Sequence, residues 1–148
     1  MSRTAYAVAQ LNDEQQQDLY ELFVSCYHRP PIFMQCVLNA RPRRWQLDTC
    51  RQISRRLLLG ERHLKVLVRS CHGSGKTWFA AALLLWWMST RADSRGLTTA
   101  PSWAGVENLL WPEIHKLWNK SLLRALGFGR MIGTELSLNE ETWFAVGA

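Results

Sequence analysis

The chain has 148 residues, 47% of them hydrophobic and 20% charged, an ordinary globular balance that excludes a disordered polyelectrolyte. Its formal net charge of +6 and pI of about 9.6 suit a polyanionic partner but do not specify which. Its four cysteines (Cys26, Cys36, Cys50, Cys71) show no C-x-x-C pair and no matching histidine spacing, which argues against zinc. With no secretory segment at the start, they read as reduced thiols of a cytosolic protein.

Residues 11–27 are expected to be helical. Asn12 or Asp13 is placed to cap the start, Glu14 sits in the first turn, and Leu19, Leu22, Phe23 and Cys26 form a stripe at helical spacing. Pro30-Pro31 breaks this helix, a shorter helical stretch is expected over 33–38, and Pro42 punctuates again. Residues 1–40 thus read as an N-terminal helical segment beside a core.

The next helix is expected over 46–59, with Leu47, Ile53, Leu57 and Leu58 inward and Arg51, Arg55 and Arg56 outward. The basic excess is concentrated here: between Arg41 and Arg69 nine Lys and Arg side chains face only Asp48 and Glu61. The arginine face reads either as a solvated helix surface or as a track for DNA. The second would show as a steep salt dependence, because neutralising phosphates releases counterions.

After a turn at Gly60, residues 64–70 read as an apolar strand running into Ser70-Cys71-His72-Gly73-Ser74-Gly75-Lys76-Thr77, with an apolar helix-forming run behind it. Strand, glycine turn, Lys-Thr and helix together predict a phosphate loop. Gly73 and Gly75 lack a Cβ, so the backbone there is free to take positive φ and bring its N–H groups close to phosphate oxygens. The helix opening at about Gly75 adds unpaired donors and a partial positive charge. Lys76 is the cation expected to reach the β- and γ-phosphates, and Thr77 is placed to give a hydroxyl to Mg²⁺. One departure stands out: the pattern G-x-x-x-x-G-K-[ST] wants glycine where this chain has Ser70. The run 79–88 is far shorter than the roughly 20 apolar residues needed to cross a bilayer, so no membrane is expected. It reads as a helix buried on all sides.

Residues 95–100 are expected to form a second strand, and Pro101-Ser102 a helix start. A long amphipathic helix is expected over 103–126, with Val106, Leu109, Leu110, Ile114, Leu117, Trp118 and Leu122 inward and a kink at Pro112. Gly127 and Gly129 end it. Residues 134–138 and 142–146, split by Asn139-Glu140-Glu141, read as a hairpin. Strands alternating with helices predict an α/β layer fold with a parallel central sheet and the glycine loop at a strand's carboxyl end.

Three segments carry a resemblance: Pro42-Arg43-Arg44-Trp45-Gln46, the loop from Val68 to Thr77, and Leu97-Thr98-Thr99-Ala100-Pro101-Ser102. In that order and spacing they resemble the large terminase subunit of tailed bacteriophages. The stretch from Val106 through Trp111-Pro112-Glu113-Ile114 to Leu117-Trp118 is also similar to that family, over residues 40–120 in all. The resemblance implies a P-loop, RecA-like ATPase that uses ATP and Mg²⁺ to drive double-stranded DNA into a procapsid in the host cell cytoplasm. It also implies a small terminase subunit and a portal as partners, and a homo-oligomer when the chain is full length. By position it places Gln46 on adenine, whose edge needs a donor and an acceptor. It makes Arg69 the basic residue of a variant phosphate loop. Beside this, Gln46 also reads as a solvated helix-start residue and Trp45 as core.

Hydrolysis in this class needs an apolar strand ending in Asp and Glu. No such strand is evident; the nearest match, Leu136-Ser137-Leu138-Asn139-Glu140-Glu141, looks like the hairpin turn. Residues 41–148 are therefore expected to be an incomplete P-loop ATPase domain, a fragment without the acidic strand or a nuclease domain. The alternatives are another P-loop ATPase of helicase-like type and a non-catalytic nucleotide-binding remnant.

Overall fold

A computed structural model describes residues 10–138 and 143–148. The first helix, α1 (Asp13–Cys26), starts as the sequence predicts: Asn12 Oδ1 accepts from the Gln15 N–H at 2.8 Å, and Gln15 Oε1 accepts in return from the Asn12 N–H at 3.1 Å. Pro30 and Pro31 open a new helical turn (Pro30–Ile32) in place of merely ending one, since proline's fixed φ suits a first turn. A π-type turn (Phe33–Val37) continues it and buries Phe33, Met34 and Val37. Helix α2 (Arg44–Leu58) buries Gln46, Cys50 and Ile53. Leu58, expected inward, is 68% exposed, because it lies at the end of α2, past the part covered by neighbours.

Helix α3 (Lys76–Thr90) is the centre of the molecule. Phe79, Ala81, Ala82, Leu85, Trp86 and Met88 are all buried, on more than one side of the helix. Each large side chain among them gains about 1.5–3 kcal/mol by leaving water. Specific bonds fix what surrounds α3. The Trp86 indole N–H donates to Cys26 O at 2.8 Å, tying α3 to the end of α1. The Trp143 indole N–H donates to Met88 O at 2.6 Å from the other side. The Arg91 guanidinium, just past the helix end, lies over the rings of Tyr27, Trp86 and Trp87 at 4.3, 4.5 and 3.9 Å.

The sheet is small and mixed, in the order β1 (Arg95–Thr98), β4 (Phe144–Gly147), β3 (Glu135–Ser137), β2 (Arg130–Ile132). β1 and β4 are parallel, with Gly96 beside Ala145, while β4 with β3 and β3 with β2 are antiparallel. The expected β3–β4 hairpin is present; its connection, with the Glu140 and Glu141 of the acidic candidate, lies outside the described residues. In place of the expected parallel central sheet, only the β1–β4 pair is parallel, and β2 is an additional strand. The long helix expected over 103–126 is divided into a turn (Trp103–Gly105), a π-type turn (Val106–Leu110), α4 (Trp111–Asn119) and α5 (Leu122–Ala125). The π-type turn holds an extra residue, which shifts the phase of the apolar stripe. Leu109 therefore turns outward at 64% exposure while Val106, Trp111, Ile114 and Leu117 remain buried.

The largest departure concerns residues 64–70. They form no strand and make no backbone-to-backbone hydrogen bond among the described residues; Val66 is 46% and Leu67 88% exposed. An apolar run becomes a strand only where a neighbour supplies the ladder, and β1, the nearest candidate, stands across a cleft of about 860 Å³. Residues 62–66 line one wall of that cleft, Leu97, Thr98 and Thr99 the other, and α3 its floor through Ala80, Leu83, Leu84 and Trp87.

A buried relay joins helix to sheet. The Trp111 indole N–H donates to Thr98 Oγ1 at 3.0 Å, and that hydroxyl donates to Val146 O at 3.2 Å. Thr98→Val keeps the shape and strands both partners, so it is expected to destabilise the chain by about 1–3 kcal/mol. Thr98→Ser, which keeps the hydroxyl, is expected to lose less. Urea denaturation of the two variants checks both.

Candidate phosphate-binding loop

Residues 70–77 form a tight turn leading directly into α3. Gly73 has φ +74° and Gly75 φ +90°, the left-handed conformations the glycines are expected to supply. Gly75 is also the residue that starts α3, and no side chain caps the helix there. The first N–H groups of α3 have no intrahelical partner, and they open toward the loop.

Lys76 lies at the loop, not elsewhere. Its Nζ donates to Ser70 O and Cys71 O, each at 2.7 Å, so the ammonium arches back over the loop's entry and is held there by neutral carbonyl dipoles. Ser70 stands in for the missing first glycine: its Oγ lies 2.6 Å from Ser74 Oγ, a hydroxyl pair that closes the neck of the loop. Cys71, His72 and Gly73 are exposed, and Thr77 is exposed on the first helical turn. Arg69 is exposed and forms no ion pair among the described residues. Of the sequence-derived candidates, then, Ser70 to Thr77 gather at one place, with Arg69 beside them.

Gln46 is also at the loop, in an unexpected manner. It is 1% exposed and its amide is engaged at both ends. Oε1 accepts from the Arg43 N–H at 2.7 Å, and Nε2 donates to Gly75 O at 3.1 Å. As the third residue of α2 it reaches back to the helix start and at the same time forward to the loop. Arg43 and Trp45, which sequence reasoning left out of the site, contact the loop as well: Arg43 Nη1 donates to Gly73 O at 3.3 Å and Trp45 Nε1 to Ser74 O at 3.2 Å. The Trp45 ring meets Phe79 edge-on, 5.2 Å between centroids, and packs, partly buried, against the core.

For the triphosphate the residues fit: two left-handed glycines, free helix-start donors and a lysine with its head at the loop. For Mg²⁺ the fit is partial. Thr77 offers one hydroxyl, but no cluster of His, Cys, Asp and Glu able to hold a metal occurs among the described residues. The basic stretch is also less free than its composition implies, since Arg51 pairs with Asp48 and Arg56 with Glu61, each at 2.6 Å. No helix among the described residues is long and apolar enough to cross a membrane. The chain matches no protein family, no curated protein and no solved structure.

The thiols divide by environment. Cys36 and Cys71 are exposed; burial pushes the Cys26 thiol up to about 11 and the Cys50 thiol up to about 12. A thiol whose pKa is higher folded than unfolded stabilises fully below its unfolded value. That contribution is lost as pH rises from about 9 toward 11–12. A chromogenic thiol reagent at neutral pH is expected to titrate two cysteines quickly in the native chain and the other two only in denaturant. Four fast thiols would contradict this placement, and excess tripolyphosphate is expected to slow the reaction of Cys71.

Proposed function

We propose that the chain binds the triphosphate of ATP at residues 70–77 and serves as the nucleotide-binding part of a DNA-packaging motor of the terminase type. The observation that carries the nucleotide reading is the ammonium of Lys76 poised over a loop of two left-handed glycines at the uncapped start of α3. Two carbonyl dipoles hold that charge in the free chain, and phosphate oxygens offer it a full opposite charge in their place. Thr77 supplies one ligand to a magnesium ion that would otherwise be held by water and the phosphates themselves.

The motor reading draws on the resemblance of residues 40–120. It gains support from the order in which α2, the loop, α3 and β1 follow one another and from the exposed side chains of Arg41, Arg44 and Arg55, whose charge suits duplex DNA. RecA-like pairing is proposed through the cleft beside α3. β1 has a free edge there, the floor is apolar, and a strand seated in it would lie beside residues 64–70 and complete a parallel core. Such a strand is where hydrolytic carboxylates would come from. A nucleotide-binding module without turnover is the second reading, and it is favoured by the lack of an acidic cluster near Thr77 among the described residues.

Titration calorimetry with ATP–Mg²⁺ tests binding. Lys76→Ala is expected to remove about 1.5–3 kcal/mol, the worth of a hydrogen bond to a charged group, which is roughly ten- to a hundredfold in Kd. No binding by the native chain, or equal binding by the variant, overturns the nucleotide reading. Duplex-DNA affinity that falls steeply with salt and changes with bound nucleotide supports the motor; DNA binding indifferent to nucleotide supports the module.

A further inference from the structure

Three side chains from the first turn of α2 hold three successive carbonyls of the loop. Arg43 takes Gly73 O, Trp45 takes Ser74 O and Gln46 takes Gly75 O, at 3.3, 3.2 and 3.1 Å. No peptide bond in the described chain is cis, and in a trans peptide the C=O and the following N–H point in opposite directions. Fixing those three oxygens against α2 therefore turns the N–H groups of Ser74, Gly75 and Lys76 away from it.

Hydrogen-bond satisfaction alone does not require this arrangement. Gly73 is exposed, so water would solvate its carbonyl at little cost, and the Gly75 carbonyl already accepts the Phe79 N–H at 3.0 Å. What the three donors add is direction, in a segment whose two glycines would otherwise sample many conformations. The grip is rigid at its root. Gln46 is buried with its Oε1 on the Arg43 N–H, and Trp45 is packed on Phe79 of α3 itself.

We infer that Arg43, Trp45 and Gln46 are positioning residues that pre-form the anion-binding loop, and that the Gln46 amide serves the loop and not a nucleobase. The inference rests on the nucleotide reading for its ligand. A ligand that binds only the competent loop conformation has its apparent Kd raised in proportion as that conformation becomes rarer. Loosening the clamp therefore weakens every polyphosphate by the same factor, whatever base it carries.

The test uses Arg43→Gln, Trp45→Phe and Gln46→Glu. The first removes an exposed guanidinium, the second an indole N–H with an aromatic ring kept against Phe79, and the third the donor to Gly75 O with the acceptor kept. Two readouts are taken, each after circular dichroism shows native helix content. In the ligand-free chain, ¹⁵N relaxation is expected to show order parameters at Ser74, Gly75 and Lys76 falling from roughly 0.85 toward 0.6 in each variant. With ligand, Kd for ATP–Mg²⁺, GTP–Mg²⁺ and inorganic tripolyphosphate is expected to rise by one common factor, roughly two- to twelvefold for a lost hydrogen bond.

Unchanged order parameters in all three variants overturn the clamp. So does a Gln46→Glu variant that loses ATP selectively while binding tripolyphosphate normally, because that is the behaviour of an adenine reader. If the native chain binds no polyphosphate, the nucleotide reading fails, and the relaxation data still decide the clamp by themselves. Where Gln46→Glu does not fold, Arg43→Gln and Trp45→Phe carry the same comparison.

Discussion

An almost wholly apolar helix has to be enclosed, and the enclosure of α3 organises the rest of this structure. Phe79, Leu85, Trp86 and Met88 are closed off from water by α1, α4 and Trp143, while Ala80, Leu83, Leu84 and Trp87 face the cleft. Two indole N–H groups, from Trp86 and Trp143, anchor that enclosure at backbone carbonyls of Cys26 and Met88. Because the helix is held on several sides, its first residue is held too. The glycine turn at Gly73–Gly75 is thereby presented on a rigid base, as a binding loop requires.

From this base the site is built by short-range means. The positive φ of Gly73 and Gly75 exposes backbone N–H groups, the uncapped start of α3 adds more, and Lys76 folds back over them. α2 contributes from outside the motif, with its first turn laid against the loop's carbonyl side. Electrostatically the loop carries Lys76 with Arg69 beside it, and neither pairs with a carboxylate among the described residues. The acids of the basic stretch, Asp48 and Glu61, are engaged with Arg51 and Arg56.

What could be read from the residues alone was what local chemistry decides. The cap at Asn12, the left-handed glycines, the buried helix behind Lys76 and the hairpin near the end each follow from the side chains within a few positions. What could not be read depended on neighbours far along the chain. Residues 64–70 have a strand's composition, yet pairing needs a second edge. Gln46 looks the same in sequence whether its amide faces a base or the Gly75 carbonyl 29 positions away. Leu109 points outward because a π-type turn shifts the helical phase, an insertion that period counting does not register.

The unpaired stretch before the glycine loop also bears on how the chain behaves in a test tube. Apart from the Lys65 and Ser70 carbonyls, which accept from Arg56 and Lys76, its backbone groups and the bare side chains of Val66 and Leu67 form a template onto which another polypeptide can zip. Lys65 and Arg69 bracket those side chains with positive charge, which makes like-with-like stacking of two such stretches electrostatically costly. Colloidal behaviour should therefore respond to ionic strength: added salt screens the repulsion and leaves the sticky backbone unopposed.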